Sequence, residues 1–242
     1  MERLRKFQLH NLFKQKSFYV CMSVILGLAA LMTISSTLLS NLTNVKTAKL
    51  DSNVTLLSFI NPGHFDTLLT IFVALFFTLD VSNGTMKNII ARGFSRKQVF
   101  ITKYMATIVG VTIMFIASFV FSYLICIIVG GNLIALDGDT LSKVAVYYVN
   151  ILGLTSLYSL ISTITSKSSG ALVACLLTSF LAPSILTLID VLLKLKKGFT
   201  ISKFWIANAS NNETMIAIII GLVYIVIAII VGIIISKRKE IK

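Results

Sequence analysis

Six long apolar runs, separated by short connections rich in lysine and arginine, constrain this chain more than any other feature. They cover about 18–40, 65–82, 100–130, 143–166, 170–193 and 214–236. A helix needs about 20 apolar residues to cross a hydrocarbon core of about 30 Å. Lipid offers no partners to backbone N–H and C=O groups, so each run must satisfy its own, as a helix does. Strands of a membrane barrel would be about 10 residues long and would alternate in polarity, which these runs do not. The expected fold is all-α, an integral membrane protein with six transmembrane helices in one domain over 1–242. Composition agrees: 13% of residues are charged, against about 25% in an ordinary soluble domain.

The basic residues give the orientation, because lysine and arginine concentrate on cytoplasmic segments. Arg3, Arg5, Lys6, Lys14 and Lys16 precede the first run, and Lys87, Arg92, Arg96, Lys97 and Lys103 follow the second. Lys167 and the tail residues Lys237, Arg238, Lys239 and Lys242 fall on the same side. Both termini are therefore expected inside. The lysines at 194–203 fit this least well, and 199–207 reads as a re-entrant or surface-lying piece with Trp205 at the interface. The first run is too long for a signal-peptide core, and no small-residue cleavage site follows it. Ahead of it, 1–16 sets Leu4, Phe7, Leu9, Leu12 and Phe13 among basic residues, the pattern of an amphipathic helix lying on the bilayer. The net charge of +13 resides in these connections and tails. It shows no nucleic-acid signature.

Little in the chain suggests covalent chemistry. Cys21, Cys126 and Cys175 stand alone within apolar runs, and His10 and His64 have no ligand-spaced neighbours, so no metal site is expected. No G-x-x-x-x-G-K-[ST] stretch occurs, so the chain carries no P-loop. No nucleophile has a base within a recognisable pattern. The chain reads as a non-enzyme without a cofactor of its own. Asp66 opens the second run, Asp80 closes it near Lys87, and Asp190 precedes Lys194 by one turn. None is expected at mid-membrane, which weighs against a proton-coupled carrier. Ser156, Ser159, Thr163 and Ser166 form a small polar stripe on the fourth run, suited to close packing or to lining a substrate path. Gly221 and Gly232 read as packing positions.

The connection between the second and third runs carries the most information. Met86, Ile89 and Ile90 recur at helical spacing. Gly93 stands where a helix end needs positive φ. Ser95 and Gln98 have the spacing of a capping box. The next helix would start at Arg96 and run to about Gly130, or about 52 Å at 1.5 Å per residue. It is longer than the hydrocarbon core, so it would project into the cytoplasm with a short helix at 84–92 beside it.

Asp80, Gly84-Thr85, Lys87, Ser95-Arg96 and Lys103 together resemble the pattern of ABC-2 type transporter permeases, although Gly93-Phe94 stands where many members have proline. The small size is similar to that of membrane subunits of peptide-toxin, lantibiotic and bacitracin transporters and of phenol-soluble modulin exporters. The resemblance implies a permease of the bacterial cytoplasmic membrane that pairs with an identical or related permease. It would bind two copies of an ABC ATPase, which hold ATP and Mg, and move amphipathic or antimicrobial peptides. It also implies that Gly84, Thr85, Met86, Lys87, Asn88, Ile89, Ile90, Ala91 and Arg92 form the coupling helix, with Ser95 and Arg96 bracing its junction. An ATP-independent secondary transporter or channel is the alternative and would predict internal repeats, of which none is clear. A membrane scaffold or sensor is a third.

Overall fold

The protein is described here by a computed structural model that covers residues 2–42, 57, 60–82, 84–130, 137–165, 167–193, 201–208 and 214–238. Its regular elements are all helical. They are α1 (Glu2–Lys14), α2 (Lys16–Leu42), α3 (Pro62–Ser82), α4 (Thr85–Ala91), α5 (Arg96–Gly130), α6 (Gly138–Ile164), α7 (Ser168–Leu192), a 3-10 turn at Ile201–Phe204, and α8 (Thr214–Arg238).

Each of the six apolar runs coincides with a helix. By length and composition, four can cross a membrane: Arg96–Ile125, Gly138–Ile164, Ser168–Leu192 and Thr214–Ser236. Within α2 the apolar stretch Lys16–Leu31 is shorter. Phe65–Asp80 of α3 passes only together with α4, from which it is bent by 53°. The chain is thus a multi-pass, all-helical membrane protein. The 35 residues of α5 overshoot a core of about 30 Å by several turns.

α6 is the hub. Half of its apolar window is buried, against 11% for that of α7, and its most extensive packing is with α8 and then α3. The contact with α8 depends on glycine. A Cβ at Gly221 would stand 2.8 Å from Val149 Cγ1, 2.9 Å from Asn150 Oδ1 and 3.3 Å from the Val149 carbonyl oxygen. Valine has one favoured rotamer in a helix and cannot swing aside. Gly221→Ala is therefore expected to cost about 1–3 kcal/mol, seen as a lower melting temperature in detergent. At Gly27 a Cβ meets nothing within 4 Å, so Gly27→Ala should leave the midpoint unchanged or raise it. Gly232 likewise faces the Phe100 ring, so both packing positions read from the last run are close-approach sites. The outer faces of α7 and α8 expose Leu177, Phe180, Leu188, Ile219, Val223 and Ile230. So large an apolar surface suits lipid and not water.

The segment after α7 differs from expectation. Asp190 is 8% exposed and accepts backbone N–H bonds from Ile201 (2.6 Å) and Ser202 (2.9 Å). It caps the 3-10 turn; Lys194, one turn on in the sequence, lies outside the described residues. Beyond the turn, Trp205 packs edge-on against Tyr224 of α8, and Ile206 is fully buried beside Gly153 of α6. Of the piece 199–207 that read as re-entrant or surface-lying, residues 201–207 are described, and Trp205 and Ile206 pack on the helix bundle while Phe204 is exposed.

Candidate functional site

The residues expected to form a docking helix fold as the sequence suggests. Gly84 takes φ 69° at the start of α4, and Gly93 takes φ 88° just past its end. Both values lie in the left-handed region that glycine enters at little cost. The Gly93 N–H closes on the Ile90 carbonyl at 2.9 Å. The capping box forms reciprocally: Ser95 N–H donates to Gln98 Oε1 (3.0 Å), and Gln98 N–H donates to Ser95 Oγ (3.3 Å). α5 then begins at Arg96.

α4 has a distinct inner and outer face. Ile89 is 6% exposed and packs with Leu4 of α1 and Val99 of α5, with Met86 and Phe94 beside them. Lys87, Asn88, Ala91 and Arg92 are exposed. Ile89 therefore anchors the helix to the bundle, and the surface α4 offers to another molecule is polar and basic. Thr85 and Ile90 are half-buried at its flanks, as is Arg96 at the junction.

A buried charge pair holds the ends of the two helices that flank α4. Lys103 Nζ of α5 lies 2.7 Å from Asp80 Oδ2 of α3. Gln8 Nε2 of α1 donates to the same oxygen at 3.2 Å. The ammonium also lies over the Phe76 and Phe77 rings, at 5.5 and 5.8 Å, where a ring face attracts a cation. Asp80 thus pairs with one of the basic residues that the sequence places on the cytoplasmic side, Lys103. The first and last residues of the motif, far apart in sequence, meet in one network. α1 docks into it: Leu4, Gln8 and Leu12, one turn apart, are all buried.

A second polar cluster lies deeper. Asp66 of α3 is 5% exposed. It accepts a hydrogen bond from the Tyr158 hydroxyl of α6 and another, 2.6 Å long, from Ser179 Oγ of α7. Ser179 lies near the middle of α7. Pro183, one turn on, has no N–H to give the Ser179 carbonyl. Asp66, in the first turns of α3, thus meets α7 near the middle of that helix. Tyr158 is an aromatic within an apolar run, and nothing in the sequence sets it apart as a carboxylate partner.

Two of the four stripe residues, Ser156 and Ser159, are buried, and Thr163 is half-buried. Ser156 is fully buried and shares a 2.6 Å hydrogen bond with Tyr104 of α5. Ser159 donates to the Ser156 carbonyl at 2.8 Å, and Thr163 to the Ser159 carbonyl at 2.7 Å. Ser166 lies outside the described residues.

No model of a known protein family matches this chain, and no curated protein matches it.

Proposed function

We propose that the chain is the permease subunit of an ATP-driven exporter of the ABC-2 type, with six spans and both termini on the cytoplasmic side of a bacterial membrane. It pairs with a second permease, and each copy engages one ABC ATPase subunit through α4. The cargo is an amphipathic or antimicrobial peptide. One observation carries this reading. α4 is a short helix fixed by its apolar side to α1 and α5, flanked by the clamped ends of α3 and α5, and showing Lys87, Asn88, Ala91 and Arg92 outward. A helix held in this way can pass a push on its polar face to two long spans as rigid bodies, which a loop cannot do.

The test is capture of candidate ABC ATPases by the detergent-purified chain. Wild type is expected to recover an ATPase. Lys87→Glu should weaken capture at least tenfold, because it reverses charge on the outer face without touching the packed one. Equal capture by Lys87→Glu and wild type, or no capture by either, removes this reading. Ile89→Asp is unsuited to the purpose, since it would unpack α4 itself.

An ion-coupled carrier without an ATPase is a second reading, and Asp66 favours it. A buried carboxylate held by hydroxyls from two other helices is a feature that proton-coupled transport uses. Transport that continues without ATP and stops in Asp66→Asn would select it.

A further inference from the structure

Between α1 and α4 lies a cleft of about 330 Å³ lined by Arg3, Leu4, Phe7, Ile89, Arg92 and Phe94. Leu4 and Ile89 are 3% and 6% exposed and form its floor. Phe7, 38% exposed, and the half-buried Phe94 add apolar wall. The two charged lining residues, Arg3 and Arg92, are exposed. Neither forms an ion pair within the described residues. Two guanidinium groups beside a greasy floor match a ligand that is both anionic and apolar. Arginine binds phosphate through a planar fork of donors. A free phosphate ion would use the arginines and leave the apolar lining unmatched.

We infer that this cleft binds the headgroup of an anionic phospholipid, with its acyl chains running out past Phe7 into the adjoining bilayer. The volume lies at the lower end of the range for small-molecule sites, about 300–1,000 Å³. It admits a headgroup and not a whole lipid. α1 leads into the apolar α2 across Gln15, about 12 Å along the helix from Phe7, so the cleft lies on the basic amphipathic helix that feeds the first apolar run. There, basic side chains meet the charged surface of the leaflet. On the other side of Phe7 is a cleft of about 390 Å³ that includes Asp80 in its lining. Its charged lining is one acid and one base, Asp80 and Lys14, whereas the arginine-lined cleft has two bases and no acid. The bound lipid would join α1 to α4. This assignment does not rest on the ATPase reading.

The test uses the full-length chain in nanodiscs of phosphatidylcholine and phosphatidylglycerol in equal parts. The chain is then extracted in mild detergent and retained lipid is read by native mass spectrometry. Wild type is expected to retain phosphatidylglycerol over phosphatidylcholine. Arg3→Gln and Arg92→Gln should each weaken that retention about fivefold, and the pair about thirtyfold, the weight of one and two basic groups at an anionic surface. Arg5→Gln removes an exposed charge from the same helix outside the cleft and should change nothing. Equal loss in Arg5→Gln and Arg3→Gln would overturn the site in favour of general surface charge. So would unchanged retention in the double variant, or retention of inorganic phosphate without preference between the two lipids. If Arg3→Gln abolishes ATPase capture while lipid retention stays at the wild-type level, the cleft belongs to a protein partner and the lipid assignment fails.

Discussion

Asp80→Ala is expected to destabilise the bundle by about 3–5 kcal/mol, the range for breaking a buried ion pair from one side. The cost lies less in the lost attraction than in what remains. Lys103 is 5% exposed, and its ammonium would keep only the faces of Phe76 and Phe77 for company. Gln8 would lose its acceptor in the same step. Thermal unfolding in detergent, followed by far-UV circular dichroism, measures the effect. The double variant Asp80→Leu with Lys103→Met should recover most of the loss, because it removes both charges and fills the space with apolar atoms. An unchanged midpoint for Asp80→Ala alone would mean that Lys103 reaches solvent and the pair is not closed in the membrane-embedded protein.

Tyr158→Phe is the second large expectation. It removes one hydroxyl and leaves the Asp66 carboxyl, buried between three helices, with Ser179 as its side-chain donor. Loss of a donor to a buried acceptor costs about 1–3 kcal/mol, and more where the acceptor is charged. Ser179→Ala should cost a similar amount. The double variant should differ from the sum of the two, since both donors serve one carboxyl group and residues in a shared network couple. If the two losses simply add, Tyr158 and Ser179 act independently, and Asp66 does not tie α3, α6 and α7 together. The same melting experiments separate the outcomes.

Local rules were legible in the sequence, and long-range partners were not. Gly93 at the end of α4, the Ser95–Gln98 box and the long α5 all depend on residues within one or two turns, where spacing and sterics leave few choices. The inward turn of Ile89 needed a partner from α1, and sequence periodicity finds an apolar face without saying what covers it. Asp80 shows the same limit. Its nearest basic residue in sequence is Lys87, yet the one at hand in the fold is Lys103. Asp66 read as a residue at a helix start, and it is one. The crossing of α3 with α6 and α7 then buries that start against residues 92 and 113 positions away. The bonds of Asp190 to Ile201 and Ser202 were not legible either, because the return of 201–208 to the bundle leaves no periodic trace.

The docking of α1 has a consequence for how the protein is made. α1 is synthesised before α3 and α5, but its most extensive contacts are with α5, and Gln8 reaches Asp80, 72 residues further along. At about 5–20 residues per second, roughly 5–20 s pass between the emergence of α1 and that of the segment that covers it. During that interval Leu4 and Leu12 have no protein to lie against. A basic amphipathic helix can wait on the bilayer surface, its apolar side in the headgroup region, while the rest of the chain is threaded past it. The nascent helix would then leave the lipid and turn its leucines inward once Lys103 and Asp80 have met.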